Sequence, residues 1–386
     1  MVIGVDIRDL KLAKTGQKTT LEELCKQFRL MEGPTYQFHF FDTSLPIYTG
    51  RNKFMLMLEH IRQQLWKQIM LPYKAWSKQC DIVYCNDYFA PYFHFGYKTV
   101  QVFHDAFFYE YPQYCNPIWL QLFKRIAVPA ARRSAYIITP TEYAKQRVHH
   151  FTKIPLDRIV AIHQAPKTIE PGTAAKIKFA KTNINGEVHS NKLPAWLPSH
   201  KNIPYLLHVG VFEKRKNIPT LLQAFKQLKE AGYPHQLVLV GKGNGKINSD
   251  DTQNILATIE SLELTDQVVM PGYIPDEQLG LVYEHASLYV FPSINEGFGI
   301  PILEAFQHDL PVLVANNTCL PEVGGDAVVP FNPHEATDLF KKISLVLNDP
   351  ALQATMKEKG RARLQAFNWE KTATQLLAVF EQAIRK

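Results

Sequence analysis

Two acids, Glu296 and Glu304, are separated by seven residues in the run EGFGIPILE, which follows the apolar stretch SLYVF. That stretch reads as a buried strand. The Pro and Gly residues after it read as a loop through Pro292 and Gly299, leading into a helix that opens at Pro301. The first N–H groups of a helix have no internal acceptors and the helix dipole is positive there, so such a junction suits a phosphate. Glu296 falls in the loop and Glu304 about one turn inside the helix, too far apart for one metal ion. Carboxylates placed this way accept hydrogen bonds from sugar hydroxyls, one ahead of the phosphate and one behind it. Gly297 and Gly299 let backbone approach a ligand without a Cβ clash. The N–H groups of Phe298, Gly299 and Ile300 are candidates to hold sugar and phosphate.

A diphosphate needs cations, and the loop EKRKN offers Arg215 and Lys216 just after the strand-like run YLLHV. Arg supplies a bidentate fork and Lys a point charge, a complementary pair for one pyrophosphate. GKGNGK (241–246) lacks the G-x-G-x-x-G spacing of a dinucleotide loop and has Ile247 where a P-loop needs Ser or Thr. It is not an ATP loop.

The elements that must position these groups alternate. In the second half YLLHV (205–209), LVLV (237–240), VVM (268–270), LYVF (288–291), PVLV (311–314) and AVV (327–329) are strand-like, with helical segments between them. This is the pattern of a doubly wound parallel sheet, whose ligands gather at the carboxyl ends of the strands. Asn217, Pro219, Leu221, Leu222, Phe225 and Leu228 read as a capped amphipathic helix with its apolar face in the core. In the first half VIGVDI (2–7), FHFFD (38–42), DIVYC (81–85), TVQVF (99–103) and YIITP (136–140) predict a second sheet of the same class. The polar stretch 182–203 marks a domain boundary or an insertion close to it. Residues 51–76 place apolar side chains at 54, 58, 61, 65 and 69, a helical stripe. The favoured reading packs it on the first sheet, and a helix lying on a membrane stays open as the alternative.

The runs 206–225, 237–243, 268–279, 291–305, 311–331 and 367–377 together resemble, in order and spacing, the retaining nucleotide-sugar glycosyltransferases of family 4 with their E-x7-E signature. The resemblance implies the α/β GT-B fold, two Rossmann-like doubly wound parallel-sheet domains facing a cleft. Residues 1–190 would bind the acceptor, 191–368 the nucleotide sugar, and a helix over 369–386 would cross back to the first domain. It further implies that Lys216 meets the diphosphate and that Arg215 takes the role of an arginine that relatives carry where this chain has Val211. Main-chain groups near Ile274 in GYIP would hold the base. Gly16 in TGQKTT would begin a loop over the phosphates, with Gln17 or Lys18 in place of a second glycine. His104 and Asp105 in VFHDAFF match a His-Asp pair, the imidazole donating to the donor sugar and the carboxylate orienting or deprotonating the acceptor hydroxyl. Thr139 and Thr141 match a small polar loop on the acceptor side.

The implied activity is retaining transfer of a hexosyl unit of mannosyl or glucosyl type. The donor would be a UDP- or GDP-sugar and the acceptor a glycan or a lipid-linked chain. Catalytic roles fall on Glu296, His104 and Asp105, with neither metal nor cofactor. An epimerase or hydrolase on the same donor site is the rival among enzymes. The rival of another class is a nucleic-acid-binding module, suggested by charge. Residues 1–200 hold 26 Lys and Arg against 15 Asp and Glu, a net of +11, whereas residues 201–386 hold 17 against 21, a net of −4. Glu296 and Glu304 speak against a polyanion, so no nucleic acid is expected. Five cysteines without a C-x-x-C pair suggest neither disulfides nor zinc. No apolar run reaches about 18 residues and the N-terminus lacks a signal peptide's pattern. A cytoplasmic protein is expected, with peripheral contact at the inner membrane face through the basic half left open.

Overall fold

The computed structural model describes residues 1–11, 16–43, 46–48, 50, 52–167, 194–246 and 248–385. The expected boundary between residues 190 and 191 therefore lies outside the described residues. The chain forms two compact units: Met1–Ala165 with Glu296–Phe298 and Phe367–Lys386, and Pro166–Asn295 with Gly299–Ala366.

In the first unit six parallel strands lie in the order β2-β1-β3-β4-β5-β6: β1 Val2–Asp6, β2 Gln37–Phe41, β3 Ile82–Cys85, β4 Lys98–Val102, β5 Tyr136–Thr139 and β6 Ile159–Ala161. Five coincide with strands predicted from sequence. β6, only three residues long, is too short to show an apolar pattern of its own. The order reverses between β1 and β3, so the ends of these strands form the unit's ligand-binding crevice by the rule for open parallel sheets. The terminal helix Trp369–Arg385 belongs to this unit, where Phe380 meets Phe28 and Tyr84 at ring-centroid distances of 6.5 and 5.7 Å. In addition, Tyr36 donates from its hydroxyl to Glu381 at 2.7 Å.

The second unit is a six-stranded parallel sheet, β12-β11-β10-β7-β8-β9, of β7 Tyr205–Val209, β8 Gln236–Val240, β9 Val268–Gly272, β10 Leu288–Phe291, β11 Val312–Ala315 and β12 Val328–Phe331. Its order reverses between β7 and β10, the doubly wound arrangement. Residues on β7, β8, β10 and β11 are almost wholly buried, as strands covered on both faces must be. The helix Ile218–Glu230 buries Leu221, Leu222, Phe225 and Leu228, as its spacing predicts. Asn217 does not cap it through a side-chain bond to a helix N–H. Its amide donates to the carbonyls of Pro292 and Pro333 at 3.2 and 2.8 Å, tying the helix start to the end of β10.

The stripe at 54, 58, 61, 65 and 69 is not core. Residues 53–77 form a helix to Leu65, a π turn over Trp66–Met70 and a second helix from Leu71. Phe54, Ile61, Leu65 and Ile69 are 61%, 48%, 49% and 58% exposed. The physical reason lies on the opposite side of the segment. There Glu59 meets Arg8 at 2.5 Å, and Lys67 meets Asp6 at 2.8 Å and Asp9 at 2.9 Å, all buried, while the Trp66 indole donates to Asp6 at 3.1 Å. Breaking a buried ion pair costs about 3–5 kcal/mol, and turning the segment over would break the Glu59 and Lys67 pairs together, against roughly 1 kcal/mol for completing the burial of each half-exposed aliphatic side chain. The polar side therefore faces in.

Burial works against the Lys67 charge, but Asp6 and Asp9 outweigh it and hold the ammonium well above its usual value. One cation cannot satisfy two carboxylates equally. Burial pushes the Asp9 carboxyl up to about 7 in spite of Lys67, with Asp6 adding to the rise. Folded protein thus keeps a proton that the unfolded chain releases above the ordinary value of 3.8, so this group's contribution to stability falls as pH rises from about 4 to about 7. Thermal unfolding of Asp9→Asn should show the loss of that slope. Its Tm relative to wild type is expected to rise by at least about 2 °C between pH 5 and pH 7.5. A Tm difference that stays level across this range would refute the assignment.

Candidate active site

The second unit brings four strand-end loops to one edge of its sheet. After β7, Arg215 donates from its Nε to Glu213 at 2.8 Å and from Nη1 to the Asn295 carbonyl at 3.1 Å, and its own carbonyl accepts from Ile294 N–H at 2.8 Å. Loop 211–217 is thereby stitched to the loop after β10. Lys216 is buried, with Nζ 5.1 Å from the centre of the Phe291 ring at the end of β10. Asn244, after β8, donates to the other oxygen of Glu213 at 2.7 Å. Gly241 N–H donates to Gly272 at the end of β9, just ahead of buried Ile274. Gly241 has φ of +140°, and a Cβ there would lie 1.8 Å from the Gly210 carbonyl oxygen, so this close approach of loops requires glycine.

The helix after β10 runs from Ile300 to Gln307, one residue earlier than Pro301 predicted, with Gly299 as its left-handed N-cap at φ of 101°. No side chain caps it through a hydrogen bond. Phe298 and Ile300 are buried, and half-buried Glu304 sits one turn in. The Tyr283 hydroxyl donates to Glu304 Oε2 at 2.9 Å, and burial followed by the Glu304 charge holds this phenol well above its ordinary value. The bond orients the Glu304 carboxylate. Tyr283 and Glu213 were not singled out from sequence, although Glu213 opens the EKRKN loop; what marks them is the partner each meets across the fold.

The first unit gathers a second cluster at the ends of β3, β4 and β5. His104 Nε2 lies 3.0 Å from the Asn86 carbonyl, and the Asn86 amide donates to the Gln17 carbonyl at 3.3 Å, next to Gly16 at the start of the helix Gly16–Leu30. Burial holds the imidazole below its ordinary value, although the Asn86 carbonyl and the carboxylates of Asp105 and Asp87 act in the opposite sense. A carbonyl only accepts, so in the neutral ring Nε2 carries the hydrogen and Nδ1 is left as an acceptor. Donation to a sugar, the role expected of His104, would require the charged ring; the neutral ring accepts. Asp105 Oδ1 accepts from the Tyr88 hydroxyl at 2.8 Å and from Phe107 N–H at 3.1 Å. Tyr88 was also missed in the sequence.

Glu296–Phe298 belong to this first unit rather than to the second, where their place in sequence put them. A Cβ on Gly297 would stand 2.0 Å from the His104 carbonyl oxygen, so only glycine lets the segment carrying Glu296 lie against the His104–Asp105 strand end. The Thr141 hydroxyl donates to the Gly297 carbonyl at 3.0 Å while accepting from Ala144 N–H at 3.1 Å as the cap of its helix. Thr139 donates to the Thr141 carbonyl at 3.2 Å. Both hydroxyls are thus engaged in holding the loop. Among the described residues no three His, Cys, Asp or Glu side chains stand together as a metal site.

Residues 191–363 match the family profile described as Glycosyl transferases group 1, and residues 18–165 match the one described as Glycosyltransferase Family 4. The chain belongs to glycosyltransferase family 4. It is 28% identical over 326 residues to the O-antigen chain mannosyltransferase B of Escherichia coli, spanning 84% of this chain and 78% of that protein. It is 30% identical over 283 residues to the serotype-specific mannosyltransferase WbdA of Escherichia coli, but the match takes in 72% of this chain and only 32% of WbdA. Sucrose-phosphate synthase from Thermosynechococcus elongatus superposes with a TM-score of 0.71 at 19% identity, covering 99% of this chain and 98% of that one. Anabaena HepE, in complex with UDP and glucose, does so with a TM-score of 0.68 at 18% identity, covering 99% and 100%. At such identities these structures speak for the fold, which is GT-B.

In this glycosyltransferase Gly297→Ala separates close approach from generic glycine loss. Thermal unfolding should show a destabilisation of about 1–3 kcal/mol, because the His104 backbone must yield to the new methyl. Gly33→Ala, where a Cβ meets nothing within 4 Å, is the control and should stay within about 0.5 kcal/mol of wild type. Equal effects would refute the contact.

Proposed function

We propose that this glycosyltransferase moves a mannosyl or glucosyl unit from a UDP- or GDP-sugar to a glycan or lipid-linked acceptor, with retention of anomeric configuration and without a divalent metal. The observation that carries this reading is the pairing, on one sheet edge, of a buried cation with a helix start. Lys216 sits at the β7/β10 reversal, and the helix Ile300–Gln307 opens from a left-handed glycine at the end of β10. Both features favour a diphosphate, and together they supply the positive charge that a metal ion would otherwise bring. The curated relatives include an O-antigen chain mannosyltransferase, and one solved relative of the fold was determined with UDP and glucose. These support the substrate class.

In this mechanism Lys216 meets the charge that grows on the leaving diphosphate, with Arg215, braced by Glu213 and the Asn295 carbonyl, beside it. Glu304, oriented by Tyr283, binds the ribose, and the backbone near Ile274 holds the base. Glu296 accepts from the sugar hydroxyls and opposes the positive charge that develops at the anomeric carbon. The acceptor hydroxyl is oriented by Asp105 and passes its proton to the leaving phosphate on the same face, so no covalent nucleophile is needed.

Incubation of the enzyme with UDP-glucose, UDP-galactose and GDP-mannose, with and without a lipid-linked glycan extract, followed by mass spectrometry, tests the reaction class. An acceptor enlarged by one hexose is the expected result; free sugar alone or an epimerised donor would overturn it. EDTA should leave turnover unchanged, and activity restored only by magnesium or manganese would refute the metal-free mechanism. Lys216→Ala should weaken donor binding by about 1.5–3 kcal/mol in calorimetry. Glu296→Gln should lower turnover about a hundredfold with nucleotide affinity nearly intact, whereas Glu304→Gln should weaken UDP or GDP itself. The reverse split would exchange the two roles.

A further inference from the structure

The outward face of residues 53–77 is exposed among the described residues. Phe54, Ile61, Leu65, Ile69, Tyr73 and Trp76 follow one another at helical spacings, each between 48% and 61% exposed. A set of contiguous apolar side chains this long is unusual on a soluble surface and marks an interaction site. The inward face is held by the buried pairs Glu59–Arg8 and Lys67 with Asp6 and Asp9, so the segment cannot roll its apolar side into the core without stranding charges. The Gln68 side chain, which donates to the Ala90 carbonyl at 3.1 Å and accepts from Tyr92 N–H at 2.8 Å, ties in a loop that adds exposed Phe93.

Charge identifies the occupant. Residues 51–80 contain six Lys and Arg and one acid; Glu59 is buried against Arg8 and Lys67 against Asp6 and Asp9, which leaves Lys74 and Lys78 beside the stripe. Beside the stripe, along edge strand β2, runs a groove of about 580 Å³ lined by Phe38, Phe40, Met70, Tyr73, Lys74 and Lys78. An apolar ridge with Tyr and Trp at its end and lysines along its flank is the arrangement that seats in the boundary between acyl chains and headgroups. No described helix is long and apolar enough to cross a membrane, so any seating is in one leaflet.

We propose that this face docks the enzyme on an anionic lipid bilayer, the apolar stripe entering the leaflet while Lys74 and Lys78 meet lipid phosphates. The stripe is anchored through Lys67 and Glu59 to Asp9 and Arg8, the residues just after strand β1, so docking presents that strand-end edge to molecules held in the membrane.

Flotation of the full-length protein with vesicles of mixed phosphatidylglycerol and phosphatidylethanolamine tests this. The protein should float with them and do so about tenfold less with phosphatidylcholine vesicles. Ile61→Glu, Leu65→Glu and Ile69→Glu combined should reduce flotation about tenfold or more while the Tm stays near wild type, since all three side chains are exposed. Lys74→Glu with Lys78→Glu should abolish the preference for anionic lipid. Brominated lipid should quench tryptophan fluorescence in wild type and much less in Trp76→Phe. Absence of flotation, or equal flotation by the triple variant, would overturn the proposal. So would a dimer seen by gel filtration that the triple variant dissolves while vesicles stay unbound, since the face would then pair two copies of the chain. Failure here leaves the transferase reading standing, because that reading rests on the other unit's loops.

Discussion

A strand in a parallel sheet covered on both faces has little room for polar side chains, and both sheets here are of that kind. Chemistry is therefore pushed to the strand ends, where the chain leaves the ladder and backbone groups become available. The consequence is visible in the placement of every candidate group. Lys216 follows β7, Ile274 follows β9, Gly299 and Glu304 follow β10, and His104 and Asp105 follow β4. Some polar groups do lie inside strands, fully buried: Asp6 in β1 meets Lys67, and His208 in β7 stands with its Nδ1 3.0 Å from the Val290 carbonyl on the neighbouring strand.

Loops that carry function in this way must also be held, since a loop positioned only by its two ends would spread its side chains over many conformations. Here they are held by each other. Glu213 bridges Arg215 and Asn244, Asn217 reaches Pro292, and Asn86 bridges Gln17 and His104. Glycine sets the spacing of these bridges at Gly241 and Gly297, where a single methyl would overlap a carbonyl oxygen. The cations and acids of the site are thus parts of networks that fix geometry, and Arg215 in particular is braced on two sides.

Much of this was legible in the sequence because it depends on near neighbours along the chain. A buried strand shows itself as an apolar run, and a strand-end loop is then located by counting forward, which places Glu296, Lys216 and His104 in such loops, while the roles given to Lys216 and His104 come from the family resemblance. What depended on distant partners was not legible. An apolar stripe at helical spacing establishes that residues 54, 61, 65 and 69 share a face, but not which way the face turns. That was decided by Asp6, Arg8 and Asp9, more than 50 residues away, whose carboxylates and guanidinium claim Lys67 and Glu59. Tyr88 and Tyr283 were missed for the same reason, and so was the hydrogen bond from His104 to the Asn86 carbonyl that sets its tautomer.

Net charge misleads for a related reason. The half of the chain with a net of −4 carries the cationic loop at β7, while in the other half the basic Arg8 and Lys67 are buried together with the acids Glu59, Asp6 and Asp9. A count of charges per domain therefore describes neither surface. What a partner meets is the charge left after buried pairs are removed. For residues 51–80 that subtraction takes away the only acid and leaves lysines beside exposed apolar side chains. The same ion pairs that stabilise the first unit thus determine what its outer face presents, because each charge drawn inward on a helix turns its apolar side out.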